Sequence, residues 1–157
     1  MRARPHYAGL ELTLACPCRC VTCGSRAGRR RERELDTQEW RGVIRELAEL
    51  DCRRVTFLGG EPFSRPDWSE LAHEVRARKM ALEIITSGMS VSERVVAQLL
   101  DLEISSVTVS VDGTRAVHDE LRGVSGSFGR ALEAITRMDE AGLRVGVATQ
   151  LNTLSLP

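Results

Sequence analysis

Five short apolar runs alternate along this chain with four stretches of helical periodicity, and that alternation constrains the fold more than any other feature of the sequence. The runs are LELTLA (10–15), RVTFL (54–58), LEIIT (82–86), SVTVSV (106–111) and RVGVATQL (144–151), short and β-branched or alternating as strands require. Between them, apolar residues recur at helical spacing around Trp40, Ile44 and Leu47, around Trp68, Leu71 and Val75, around Val95, Val96 and Leu99, and around Phe128, Ala131, Ile135 and Met138. Boundary chemistry agrees: Asp36 with Glu39 and Ser90 with Glu93 have capping-box spacing, Pro66 suits a first helical turn, and Gly142 suits a helix end. Strands joined by crossover helices must run parallel, so the order βαβαβαβαβ predicts an α/β fold with about five strands and four helices. An open doubly wound sheet and a sector of a barrel both satisfy it. The chain stops at LNTLSLP directly after the fifth run, with no helix to cover that strand, so a C-terminal truncation or a partner chain completing the sheet is expected.

In both architectures functional groups gather where strands end at their carboxyl side. CPCRCVTC (16–23) begins where the first predicted strand ends, and it holds four of the five cysteines. No apolar h-region follows the opening arginines, and no segment nears the roughly 18 apolar residues of a membrane span, so a cytoplasmic address and no membrane are expected. A reducing cytoplasm directs clustered thiols toward metal or redox chemistry rather than disulfides. The 22 basic and 22 acidic residues cancel, so no global field recruits nucleic acid.

Within the cluster, Cys16, Cys20 and Cys23 have the spacing C-x3-C-x2-C, with Cys18 as an extra member. Thiolates this close on one loop suit an iron–sulfur centre, whose separate irons each take a ligand. A structural zinc normally draws on two separated ligand pairs, and Cys52 stands alone; a small zinc protein using all four clustered cysteines is nonetheless a rival reading. A CxxC redox pair is another.

With this loop, FLGGEP (57–62) after the second strand, ITSG (85–88) after the third, SVDG (110–113) after the fourth and VHDELRG (117–123), the sequence resembles the radical S-adenosylmethionine (radical SAM) superfamily. The motifs are closest to those of peptide- and protein-modifying members, such as anaerobic sulfatase maturases and relatives with an auxiliary-cluster domain. The resemblance implies an incomplete parallel (β/α) partial barrel, TIM-like, in which residues 1–157 form the N-terminal part of a (β/α)6 core without the auxiliary cysteine-rich domain. It implies that Cys16, Cys20 and Cys23 hold a 4Fe-4S cluster, leaving one iron for the amine and carboxylate of S-adenosylmethionine, with Cys18 a bystander. The function implied is reductive cleavage of that cofactor to a deoxyadenosyl radical, which abstracts hydrogen from a peptide or protein side chain, with an external one-electron reductant. A non-catalytic iron–sulfur electron-transfer or binding fragment is the alternative.

Further site residues follow from the resemblance. Gly59 and Gly60 let backbone approach the ligand, Glu61 accepts from its ammonium, and Pro62 stiffens the turn. Ser87 stands where asparagine is usual and keeps a small hydrogen-bonding side chain. Ser110 and Asp112 reach the ribose or carboxylate, and Arg122 pairs with the carboxylate through its planar fork. Each has a plainer reading beside it: GGEP as a tight turn, SVDG as an Asp-Gly turn, Arg122 as one solvated arginine among many. His118 reads as a turn or packing histidine, His6 and His73 belong to no constellation, and Cys52 reads as a small buried thiol. The loop GSRAGRRRERE (24–34) is a solvated charged segment or a docking site for an acidic peptide or reductase. No catalytic side chain is assigned.

Overall fold

The computed structural model describes residues 4–153 and 155; positions 154, 156 and 157 of the tail LNTLSLP lie outside the described residues. Five parallel strands, β1 (Tyr7–Glu11), β2 (Arg54–Leu58), β3 (Ala81–Thr86), β4 (Ser106–Ser110) and β5 (Val145–Ala148), form one sheet in sequential order. That order decides between the two architectures. A doubly wound sheet reverses direction at a switch point and carries helices on both faces, whereas sequential order with one helical face is a sector of a barrel.

The pleat sorts the residues accordingly. Val55, Phe57, Leu82, Ile84, Val107 and Val109 are fully buried on the face that packs against the helices. The opposite, concave face carries the alternate residues, with Gly9, Thr56, Glu83 and Ser106 in one register row and Ile85, Thr108 and Gly146 in the next. Among the described residues the helices are α1 (Thr37–Glu49), α2 (Trp68–Ala77), α3 (Glu93–Asp101), α4 (Arg115–Arg122) and α5 (Ser127–Glu140), with a 3-10 turn at Pro62–Ser64. None is long and apolar enough to cross a membrane.

The capping box at Asp36 forms as expected: its carboxylate accepts from Glu39 N at 2.8 Å, and the Glu39 side chain accepts from Asp36 N at 2.8 Å. Three expectations need correction. Ser92, not Ser90, caps α3, accepting from Val95 N at 3.3 Å. β1 begins at Tyr7 and ends at Glu11, because β2 turns away at Gly59 and leaves residues 13–15 without a strand to pair with. There is also a fifth helix, α4, within VHDELRG: it is short and polar, and only His118 and Leu121 are buried, too few for a periodicity to stand out.

Candidate functional site

The carboxyl ends of β1 to β5 surround a cavity of about 560 Å³. Its walls include Cys16, Cys18, Cys20, Cys23, Gly59, Gly60, Ser87, Ser110, Asp112 and Arg122. Two expected residues lie elsewhere: Glu61 and Pro62 are buried outside the lining.

The cysteine loop is closed on itself before it meets anything else. Gly28 N donates to Leu14 O at 2.8 Å, and Cys16 N to Gly28 O at 3.3 Å. Glu34, its side chain 2% exposed, accepts from Thr13 Oγ1 at 3.0 Å, Leu14 N at 2.9 Å and Arg30 Nε at 2.9 Å. Burial pushes the Glu34 carboxyl up, but these donors outweigh it and hold it below the usual carboxylate range. In the charged loop, Arg30, Arg31 and Arg33 are paired with Glu34, Glu11 and Glu39.

Each of the three spaced cysteines accepts one N–H at sulfur: Cys16 from Cys18 N at 3.4 Å, Cys23 from Ala27 N at 3.2 Å, and Cys20 from Arg122 Nη1 at 3.7 Å. Cys18 behaves differently. Donation to Cys16 and Cys20, then burial, push its thiol far above the ordinary range. The same contact lowers Cys16, and lowers Cys20 to about 6 with further help from Arg122. Metals bind thiolates, and within the loop the shared thiol contact favours ionisation of Cys16 and Cys20 over Cys18.

The GGEP turn abuts this loop backbone to backbone. Gly60 N donates to Thr13 O at 2.7 Å and Glu61 N to Ala15 O at 2.8 Å. A Cβ on Gly59, whose φ is +136°, would stand 2.5 Å from Thr13 O. The glycines therefore serve a loop-on-loop contact as well as facing the cavity.

Glu61 points below that surface. Its carboxylate accepts from Thr86 Oγ1 at 2.8 Å, from Ser87 N at 2.9 Å and from the Ser87 hydroxyl. Each hydroxyl in turn accepts a backbone N–H, Thr86 from Gly88 at 3.0 Å and Ser87 from Met89 at 3.3 Å, so the hydroxyl protons are directed at Glu61. Burial raises the Glu61 pKa, against the pull of Ser87 and Thr86. Glu61 thus ties the second strand end to the third, and Ser87 lines the cavity from that anchor.

At the fourth strand end, Asp112 Oδ2 accepts from Arg122 Nη2 at 2.6 Å, Oδ1 accepts from Gln150 N at 2.8 Å, and its own N–H goes to His118 Nδ1 at 3.0 Å. Asp119 accepts from Gly126 N at 2.7 Å and Phe128 N at 2.8 Å, fastening the start of α5. Gly123, at φ +63°, lets the end of α4 lie against Arg19, where a Cβ would be 2.8 Å from Arg19 O. So the sequence segment HDELRG is a joint between strand, helix and cysteine loop. Sequence reasoning missed Thr86, Arg19, Thr149 and Gln150; the rule that strand ends carry sites would have pointed to the last two. His6, His73 and Cys52 contribute nothing to the cavity.

Residues 10–156 match the family model of the Radical SAM superfamily. The chain is 34% identical over 143 residues to Fe-coproporphyrin III synthase of Methanosarcina barkeri, covering 90% of this chain and 36% of that protein. It is 38% identical over 133 residues to the mycofactocin maturase MftC of Mycolicibacterium smegmatis, covering 84% and 34%. The chain thus spans about a third of the length of these curated relatives. The structure of Streptococcus suis SuiB bound to S-adenosylmethionine superposes with a TM-score of 0.81 at 20% identity, covering 97% of this chain and 36% of SuiB, a likeness of fold.

The residues fit a cluster better than a single ion. Among the described residues no three Cys, His, Asp or Glu side chains form a site for one metal, as a zinc would need. A cluster requires only that three sulfurs border one space, each for a different iron, and Cys16, Cys20 and Cys23 do.

Proposed function

The chain belongs to the Radical SAM superfamily, and on that premise we propose that residues 1–157 are the cofactor-binding core of an enzyme, the N-terminal part of a six-unit partial barrel. In this reading Cys16, Cys20 and Cys23 hold a 4Fe-4S cluster and the rest of the cavity takes S-adenosylmethionine. When bound, the two together supply reductive cleavage of the cofactor's sulfonium and hydrogen-atom abstraction, with the electron coming from an external reductant. The observation that carries it is the shared cavity: three half-buried sulfurs, each with an N–H donor, face the glycine backbone of GGEP and the ends of β3 and β4.

The chain's own residues do the holding. Gly59 and Gly60 shape the wall beside the sulfurs, the Glu61 anchor fixes Ser87, and Ser110 adds a hydroxyl at the end of β4. Asp112 and Arg122 are already paired with each other, so their contact with a ligand is made as a pair rather than as free charges. Cys18, outside the C-x3-C-x2-C spacing, stays off the metal in this reading.

We assign the substrate class to peptides. The support is kinship: relatives include peptide cyclases and maturation proteins, and SuiB is known bound to precursor peptide SuiA. A tetrapyrrole substrate is the second reading, favoured by the relative named Fe-coproporphyrin III synthase.

The test is anaerobic reconstitution with iron and sulfide. The expected result is about four iron and four sulfide per chain and a change in the cluster's electron paramagnetic resonance (EPR) spectrum on adding S-adenosylmethionine. Zinc without iron and sulfide would sink the reading; a cluster indifferent to S-adenosylmethionine would leave an electron carrier. Hydrogen transfer into deoxyadenosine from a deuterated peptide encoded beside this reading frame, and not from Fe-coproporphyrin III, would fix the substrate class.

A further inference from the structure

The three spaced sulfurs acquire their N–H donors in two different ways. For Cys16 and Cys23 the donor is backbone of the same loop, Cys18 N and Ala27 N. Around Cys20 the two flanking backbone donors are committed elsewhere: Arg19 N donates to Arg122 O at 2.9 Å and Val21 N to Leu121 O at 3.0 Å. These bonds satisfy carbonyls at the C-terminus of α4, which a helix end leaves without partners. They also draw the middle of the loop against α4. The Arg122 side chain then returns to the same place, with Nη1 3.7 Å from Cys20 Sγ.

That guanidinium is held from behind. Nη2 donates to Asp112 Oδ2 at 2.6 Å, the other Asp112 oxygen accepts from Gln150 N, and His118 Nδ1 accepts the Asp112 N–H. His118 is itself fully buried, edge-on to Phe128 with ring centroids 5.6 Å apart.

We propose that Arg122 is a positioning residue for Cys20, supplying from outside the loop an N–H···S contact and thereby setting the reduction potential of the centre held there. This rests on the reading that Cys16, Cys20 and Cys23 hold an iron–sulfur cluster. Hydrogen bonds to cluster sulfurs and nearby positive charge favour the reduced, more negative form. Removing Arg122 therefore makes the centre harder to reduce.

The experiment uses the reconstituted chain grown with guanidino-15N arginine. In the reduced protein, pulsed EPR is expected to show a weak 15N coupling to the cluster, absent after Arg122→Gln. Potentiometric titration of R122Q is expected to show unchanged iron and sulfide but an oxidised-to-reduced ratio about tenfold higher at a given solution potential, about 59 mV for a one-electron couple. Arg122→Lys keeps the charge without the fork and recovers part of that shift. No 15N coupling in the unsubstituted protein, or a wild-type potential in R122Q, overturns the proposal while leaving the cluster reading intact. Should R122Q fail to fold, the labelled unsubstituted chain decides alone. Absence of iron and sulfide in that chain removes both.

Discussion

A Cβ placed on Gly60 would lie 2.4 Å from the carbonyl oxygen of Ala15, the residue immediately before the first loop cysteine. Neither side of this contact is a flexible side chain, so the strain has to be relieved by moving one loop off the other. Gly60→Ala is expected to destabilise the fold by about 1–3 kcal/mol, the usual cost of overpacking. It should also displace the cysteine loop. Chemical denaturation gives the first quantity, and iron retained per chain after reconstitution gives the second; wild-type values for both would refute this account of the glycine.

The buried carboxylate of Glu61 depends on Ser87 for two of its donors. Ser87→Ala removes the hydroxyl and keeps the N–H, and loss of one hydrogen bond to a buried charge costs about 1.5–3 kcal/mol. Glu61→Gln places an amide N–H2 among groups that are all donors, and should cost at least as much. The pH dependence separates these effects. Burial raises the folded-state pKa of Glu61, so the folded chain binds the proton more tightly than the unfolded chain. The contribution of this group is therefore complete below the ordinary carboxylate range and is lost as pH rises through the shifted pKa. Denaturation midpoints of E61Q should lack that slope.

His118 works in the opposite direction. Burial, then the nearby Arg122 charge, lower its pKa, with Asp112 and Asp119 pulling weakly the other way. Its Nδ1 must stay unprotonated to accept the Asp112 N–H. Stability from this group is thus complete above the ordinary histidine pKa and is lost as pH falls through and below it. His118→Gln, measured by thermal unfolding between about pH 5 and 8, should flatten this acid limb; an unchanged slope would place the dependence elsewhere.

Cys18 and its neighbours give the simplest contrast. Cys18→Ala is expected to retain iron and sulfide, whereas alanine at Cys16, Cys20 or Cys23 should lose most of both. Loss of the cluster from C18A, with the fold intact by circular dichroism, would promote Cys18 to a ligand.

The parallel sheet and the cysteine loop were legible in the sequence because both depend on local pattern: alternation in RVTFL and SVTVSV, and spacing in CPCRCVTC. The end of β1 was not, since LELTLA alternates as well as any strand and only the turn of its neighbour at Gly59 ends the pairing. The inward aim of Glu61 and the pairing of Arg122 with Asp112 were hidden for a related reason. Both are settled by side chains 10 or more positions away, across strand ends that the sequence does not show side by side. Residue type still narrowed the choice, as the planar fork of Arg122 and the small hydroxyl of Ser87 are used, though toward protein partners.

The contact between Cys20 and Arg122 joins positions 102 residues apart. Closing so long a loop costs chain entropy that is recovered only when β4 and α4 have docked, so this joint forms late in folding. During synthesis the thiols emerge first and their clamp last. A chain stalled before residue 122 would hold its cysteine loop without the two α4 carbonyls and the guanidinium against which the folded loop rests.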